Sequence, residues 1–240
     1  MLKRALVTGG SGAIGMAICR DLAAQGMHVI VHANTRSDAA TALARELAVK
    51  VGSAEAVQFD LRDGDATSAA LVRVLEAGPV QVLVNNAGII DDAPLAGMSE
   101  AQWLSVIDVS LNGFYRATQP LLLPMLRTRW GRIVNISSVA ASIGNRGQTN
   151  YAAAKAGLHG ATRALALEVA KRGVTVNTVA PGIIASPVIE RSFDAERIRA
   201  LVPAERAGTP EDVAALVGFL VSDRAGYVTG QLIGVNGGFG

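Results

Sequence analysis

Cysteine is almost missing from this chain: Cys19 is the only one in 240 residues, so no intrachain disulfide can form. Its setting among helix-forming residues reads as a small core side chain rather than a nucleophile. Charge of either sign is also short, with a formal net charge of only +2. That argues against a nucleic-acid protein whose affinity comes from neutralising phosphates. No apolar run approaches the ~18 residues that span a bilayer, so no membrane segment is expected. The start, Met1-Leu2-Lys3-Arg4, is basic, but the apolar stretch behind it reaches Thr8-Gly9 too soon for a signal peptide. No metal site is expected either. What is abundant is apolar residues, 50% of the chain, enough to bury a large core at a length that suits one α/β domain. The expectation is a soluble, cytoplasmic protein.

Strands and helices alternate to the end, which predicts an α/β fold: a doubly wound, mostly parallel sheet with helices on both faces. Strands are expected at Leu2–Val7, His28–Val31, Ala56–Phe59, Gln81–Val84, Arg132–Ile136, Val174–Val179 and Gln231–Val235. Between them lie helical patterns, among them a long one from Ser99 to Arg127 that Pro120 and Pro124 interrupt. No repeat, linker or low-complexity segment appears, so residues 1–240 read as a single domain.

Two places carry chemistry. Thr8-Gly9-Gly10-Ser11-Gly12-Ala13-Ile14-Gly15 lies between the first strand and a helix. Glycines there let backbone N–H groups approach a pyrophosphate, with the helix N-terminus adding its positive dipole end. Gly10, Gly12 and Gly15 fit the general G-x-G-x-x-G fingerprint. The second place is Ile136-Ser137-Ser138 followed by Asn150-Tyr151-Ala152-Ala153-Ala154-Lys155. Tyr151 and Lys155 lie four apart in an alanine-rich segment, so both project from one helical face. Free tyrosine titrates near a pKa of about 10, and a nearby ammonium lowers that value, which predicts a phenol tuned to protonate a carbonyl oxygen. Ser138 follows an apolar run that reads as a strand, at the edge where open α/β sheets hold ligands.

Ser138, Tyr151 and Lys155, together with the Gly-rich opening and Asn85-Asn86-Ala87-Gly88, resemble the short-chain dehydrogenase/reductase family over essentially the whole chain. Asn145 to Tyr151 narrows the likeness toward 3-oxoacyl-(acyl-carrier-protein) reductases, and Gly144 to Gln148 is also similar to reductases of bacterial aryl-polyene pathways. The resemblance implies a single-domain Rossmann fold of seven strands, a homotetramer, and reduction of a 3-oxoacyl thioester on an acyl carrier protein. A free ketone, sugar or polyol is the rival substrate class, and an idle dinucleotide-binding subunit the rival of another kind.

The same resemblance assigns residues. Its T-G-x-x-x-G-x-G pattern uses Gly9, position 13 and Gly15, with Ala13 a departure, and Ser11, Gly12 and Ile14 complete the cofactor loop. No acid follows the second strand, where Asn34-Thr35-Arg36 stands instead, so Arg36 is expected to pair with a 2′-phosphate and NADP(H) is favoured. Asp60 and Leu61 match the adenine-contacting pair, with Asp60 equally suited to cap the next helix. Asn86, Ala87 and Gly88 are expected along the ribose, and Pro181, Gly182, Ile184 and Ser186 around the nicotinamide. Tyr151 and Lys155 also bind the cofactor in relatives. Ser110 stands where relatives carry a water-holding Asn, which leaves a fourth catalytic residue in doubt. Residues 187–201 resemble a substrate lid. Arg129 and Arg172 match the arginines that grip the acidic carrier protein, with Arg127, Arg132 and Lys171 able to thicken that patch.

Overall fold

The computed structural model describes residues 2–186 and 194–240. Among them, seven strands form one wholly parallel sheet in the order β3-β2-β1-β4-β5-β6-β7. They are β1 (Arg4–Val7), β2 (His28–Ala33), β3 (Ala54–Gln58), β4 (Val82–Asn85), β5 (Gly131–Ile136), β6 (Val174–Pro181) and β7 (Leu232–Val235). β1, β4, β5 and β6 are buried along their whole length, as near-continuous apolar strands covered on both faces must be.

Alternation within each strand feeds two cores. Ala5, Val7, Val29 and Val31 pack on one face with α1 (Ala13–Ala24), α2 (Ser37–Val51) and, near the end of the chain, Val213, Val217 and Leu220. Leu6, Ile30, Leu83, Ile133 and Val176 pack on the other with α3 (Gly64–Glu76) and the later Leu121, Met125 and Val169. The chain winds outward from β1 through β2 to β3, then returns to β4 on β1's other side, where Val7 neighbours both Val31 and Val84. That reversal opens a crevice beyond the carboxyl ends of β1 and β4.

The 99–127 stretch is helical, but the prolines do not break it. It divides into α4 (Glu100–Ile107), a π-helical turn (Asp108–Asn112) and α5 (Gly113–Arg127), with Pro120 and Pro124 inside α5. Ala117, Leu121 and Met125, each four apart and buried, hold α5 on the sheet despite the two missing N–H donors. The interruption comes where the Gly113 N–H reaches back five residues to the Asp108 carbonyl. β3 begins two residues earlier than its apolar pattern suggests, at Ala54. Cys19 is fully buried, and burial pushes its thiol up to about 12, which fits a core role.

After β5 come α6 (Ala140–Ile143) and α7 (Thr149–Val169), then α8 (Ala195–Leu201) and α9 (Pro210–Val221). Sequence sets the helix starts. Ser99 and Gln102 form a capping box on α4, as Thr209 and Asp212 do on α9, and Asp63 accepts the Ala66 N–H at the head of α3. The capping role considered for Asp60 therefore belongs to Asp63. Residues 187–193 of the expected lid lie outside the described residues; its remainder is α8, capped by Asp194.

Candidate active site

The loop after β1 is shaped by three glycines, Gly9, Gly10 and Gly15. Gly9 sits at φ +63°, and a Cβ there would lie 3.0 Å from the Ala87 Cα. A Cβ on Gly15 would lie 2.3 Å from the Gly9 carbonyl oxygen, an impossible contact. At Gly12 the nearest atom would be 3.3 Å away. A Cβ on Gly10 would lie 2.8 Å from Val31 Cγ1, so the demanding positions are 9, 10 and 15, with 12 the least confined. Ala13 is tolerated because it opens α1 with its methyl exposed.

α1 carries no side-chain cap and no acid in its first turn, so its N-terminal amides and positive dipole end remain available to an anion. They face a groove of about 540 Å³ along the sheet's carboxyl edge. Gly9, Ser11, Gly12, Ile14, Gly15, Asn34, Thr35, Arg36, Asp60, Leu61, Asn86, Ala87, Gly88, Ile184 and Ser186 all line it. This cradle of close backbone, open amides and one flanking cation fits a dinucleotide. A Cβ on Gly12 would stand 3.6 Å from Arg36 Nη2, so the guanidinium lies across the loop at the place where a residue-12 side chain would be.

At the groove's other end, Asp60 is engaged rather than waiting. Arg62 donates to both its oxygens, at 2.6 Å in the shortest contact, and this holds the carboxyl down at about 2. Asn86 is spent on structure: its amide donates to the carbonyls of Thr8 and Gly9, while the Thr8 hydroxyl accepts from the N–H groups of Asn86 and Ala87. That clasp holds the turns after β1 and β4 together. Pro181 and Gly182 do not line the groove. The Pro181 carbonyl accepts the Val139 N–H, and Gly182 is closed in by Asn236, 2.8 Å from the position of its absent Cβ.

Ser138, Tyr151 and Lys155 converge beside this groove. Ser138 leaves β5 beside Tyr151, and its hydroxyl accepts the Ala140 N–H at 3.2 Å. The head of α7 is fixed by buried Asn150, whose amide donates to the carbonyls of Asp91 and Gln102. Further along, Asn135 bonds Thr162, which meets Thr178 at 2.7 Å, so a buried polar chain registers α7 against β5 and β6. Lys155 is 3% exposed, and its Nζ donates to the Ile136 carbonyl at 2.8 Å.

The electrostatics differ from the sequence expectation. Burial raises the Tyr151 pKa, opposed by the neighbouring Ser138 hydroxyl and reinforced by the charge of Asp92. Lys155 stands 5.7 Å from the Tyr151 ring centroid, and burial lowers its own pKa to about 8. For both groups the largest cause is loss of water, which disfavours the charged form: the phenolate of Tyr151 and the ammonium of Lys155.

Ser110 lies in the π-helical turn, and its hydroxyl is the one buried side-chain polar atom without a partner among the described residues. Ser110 Oγ and Lys155 Nζ would lie 3.5 and 3.1 Å from a Cβ on Gly88, so the missing side chain of Gly88 brings both groups to one small space. Asn112 turns elsewhere, donating to Asp108.

Arg129 and Arg172 lie in the exposed turns that precede β5 and β6, at the amino edge of the sheet. Ser138 is at the opposite edge, a β5 length away, roughly 20 Å at ~3.3 Å per residue. The two arginines are brought together but not to this chain's own active site. Arg132 cannot extend their patch: it is buried, bonds the Gly131, Gly173 and Ser222 carbonyls, and stacks on Trp130.

A strand-edge dinucleotide groove with a Ser–Tyr pair and a buried lysine defines a nicotinamide-dependent oxidoreductase, and the chain belongs to the short-chain dehydrogenase/reductase family. The sequence profile of the family described as "Enoyl-(Acyl carrier protein) reductase" matches residues 9–240. Similar proteins include the 3-oxoacyl-[acyl-carrier-protein] reductase of Aggregatibacter actinomycetemcomitans, 42% identical over 99% of both chains. The reductase of the same name from Synechocystis sp. is 45% identical, covering 98% of this chain and 95% of its own. Nodulation protein G of Rhizobium sp. (strain N33) is 46% identical, with 98% and 96% covered.

Proposed function

We propose that this protein reduces a 3-oxoacyl thioester, carried on an acyl carrier protein, to the 3-hydroxyacyl thioester with NADPH. The observation that carries the reading is that Tyr151, beside Ser138, has buried Lys155 Nζ 5.7 Å from its ring centroid, next to Gly88 of the dinucleotide groove. The bound nicotinamide supplies the hydride to the carbonyl carbon. Tyr151, kept protonated through the neutral range by burial, gives its proton to the carbonyl oxygen. Ser138 holds that oxygen and polarises it. Lys155, with a pKa of about 8, is mostly charged at pH 7 and grips the nicotinamide ribose beside Tyr151. The unpartnered Ser110 hydroxyl holds the water that passes a proton back through Lys155.

Arg36 at the adenosine end supports NADPH over NADH, because a guanidinium pairs bidentately with a phosphate and gains nothing comparable from a hydroxyl. Arg129 and Arg172, remote from their own chain's site, support a carrier that docks on one copy and delivers to another. A homotetramer provides that arrangement, and the exposure of Tyr115, Leu123 and Leu167 on α5 and α7 supplies apolar surface for it. No helix among the described residues is long and apolar enough to cross a membrane. Cytoplasmic location agrees with this.

The test is NADPH consumption with an acetoacetyl thioester on a carrier protein, set against small free ketones and sugars. Preference for the carrier-bound thioester is expected. Faster reduction of a free ketone or sugar overturns the substrate assignment.

A further inference from the structure

One buried titratable side chain beside the groove takes no part in the chemistry above. His32, near the end of β2, is 2% exposed, and both its ring nitrogens are committed. Nδ1 lies 3.0 Å from the Gly9 backbone nitrogen, and Nε2 lies 2.9 Å from the Phe59 carbonyl oxygen. A backbone N–H can only donate and a carbonyl can only accept, so Nδ1 must carry the lone pair and Nε2 the hydrogen. The partners themselves select one neutral tautomer. The ring rests on Phe59, with centroids 4.0 Å apart, and the His32 carbonyl accepts the next amide of the loop, that of Gly10, at 2.8 Å.

The consequence for the loop is directional. Two consecutive amides, those of Gly9 and Gly10, are turned away from the groove and anchored in β2. The chain can then present the following amides, at the head of α1, toward the groove. Gly9 is also the residue whose left-handed backbone, at φ +63°, starts the turn. On its far side the imidazole fixes the Phe59 carbonyl, immediately before Asp60 and Leu61 at the adenosine end.

We infer that His32 is a positioning residue for the dinucleotide: a neutral imidazole strut that sets the spacing between the pyrophosphate loop and the adenosine end. This rests on the reading of the groove as the dinucleotide site. Burial supports it independently by pushing the ring down to about 4, opposed by the hydrogen bond to Phe59 and the charge of Asp60, so the strut stays neutral at ordinary pH. An ordinary core histidine would owe nothing to the cofactor. This one spends its only acceptor on the loop that must hold two phosphates.

The test is calorimetric titration of NADPH into the whole chain, His32→Leu and His32→Asn. Losing one hydrogen bond that orients the loop is expected to weaken NADPH about tenfold in His32→Leu. His32→Asn, whose amide oxygen can replace Nδ1 as the acceptor, is expected to recover most of that loss. Nitrogen NMR of the unaltered chain should show Nδ1 bare and Nε2 protonated, a signature that depends on no variant folding. A folded His32→Leu that binds NADPH as tightly as the parent, or an Nδ1–H tautomer, overturns the inference. Failure of the unaltered chain to bind NADPH overturns the cofactor reading itself.

Discussion

Lys155 Nζ donates to the carbonyl oxygen of Ile136 at 2.8 Å, and this is the one hydrogen bond its buried ammonium makes among the described residues. The bond ties α7 to the end of β5, two residues before Ser138, so the elements that carry Tyr151 and Ser138 share one contact. No carboxylate among the described residues offsets the charge, and burial lowers its pKa from 10.5 to about 8. The unfolded chain therefore binds the proton more readily than the folded one. Below pH 8 the full cost of burying the charge is present, and it is relieved as pH rises from 8 toward 10.5.

Replacing that charge should stabilise the protein while disabling it. At pH 7 Lys155→Met is expected to gain about 2 kcal/mol of stability, since a shift of this size corresponds to roughly 3 kcal/mol and the Ile136 hydrogen bond is lost in exchange. The gain should shrink as pH rises above 8. Denaturant midpoints across pH measure it, and a variant less stable than the parent at pH 7 refutes it. Turnover should fall by orders of magnitude.

Tyr151→Phe removes the proton donor and keeps the ring. NADPH binding should survive nearly intact, and turnover should drop about 10²–10⁴-fold, the range of general acid catalysis. Single-turnover rates decide this. Retention of more than roughly a tenth of the rate rejects the assignment, given that range.

Arg36→Ala should weaken NADPH far more than NADH. The guanidinium lies over Gly12, where it can meet a 2′-phosphate but has no equivalent partner in NADH. Titration of both cofactors into parent and variant measures the difference. Equal losses would place the selecting charge elsewhere in the groove, with Arg62 the next candidate once freed from Asp60.

Ser110→Asn puts at the π-helical turn the residue type that the family resemblance implies there. Its amide can accept from Lys155 and hold a water at the same time, where the present hydroxyl has no partner among the described residues. Turnover should be maintained or rise. A stable variant with markedly lower turnover would point to a proton route that avoids Ser110, and a destabilised one to overpacking against Gly88 and Lys155.

The sequence by itself determined the alternation of elements, hence a parallel sheet with a ligand edge, and it placed Ser138, Tyr151 and Lys155 there. Those facts are local: strand period, helical spacing of four and glycine content are all written in short stretches. The glycine register was local in principle but ambiguous, and contact shows Gly9, Gly10 and Gly15 all closed in where a Cβ would go, with Gly12 the least confined. The break in the 99–127 helix looked like proline's work and is a π turn instead, because packing of Ala117, Leu121 and Met125 outweighs two lost hydrogen bonds. Other features were decided only by tertiary structure. How much water a group loses is set by the fold, and so burial raises the Tyr151 pKa where proximity to an ammonium alone predicts a fall. His32 becomes a groove residue through partners 23 and 27 positions away in the chain. Arg129 and Arg172 fall at the far edge for the same reason: a motif fixes residue type, but the sheet's direction fixes which end of a strand that residue occupies.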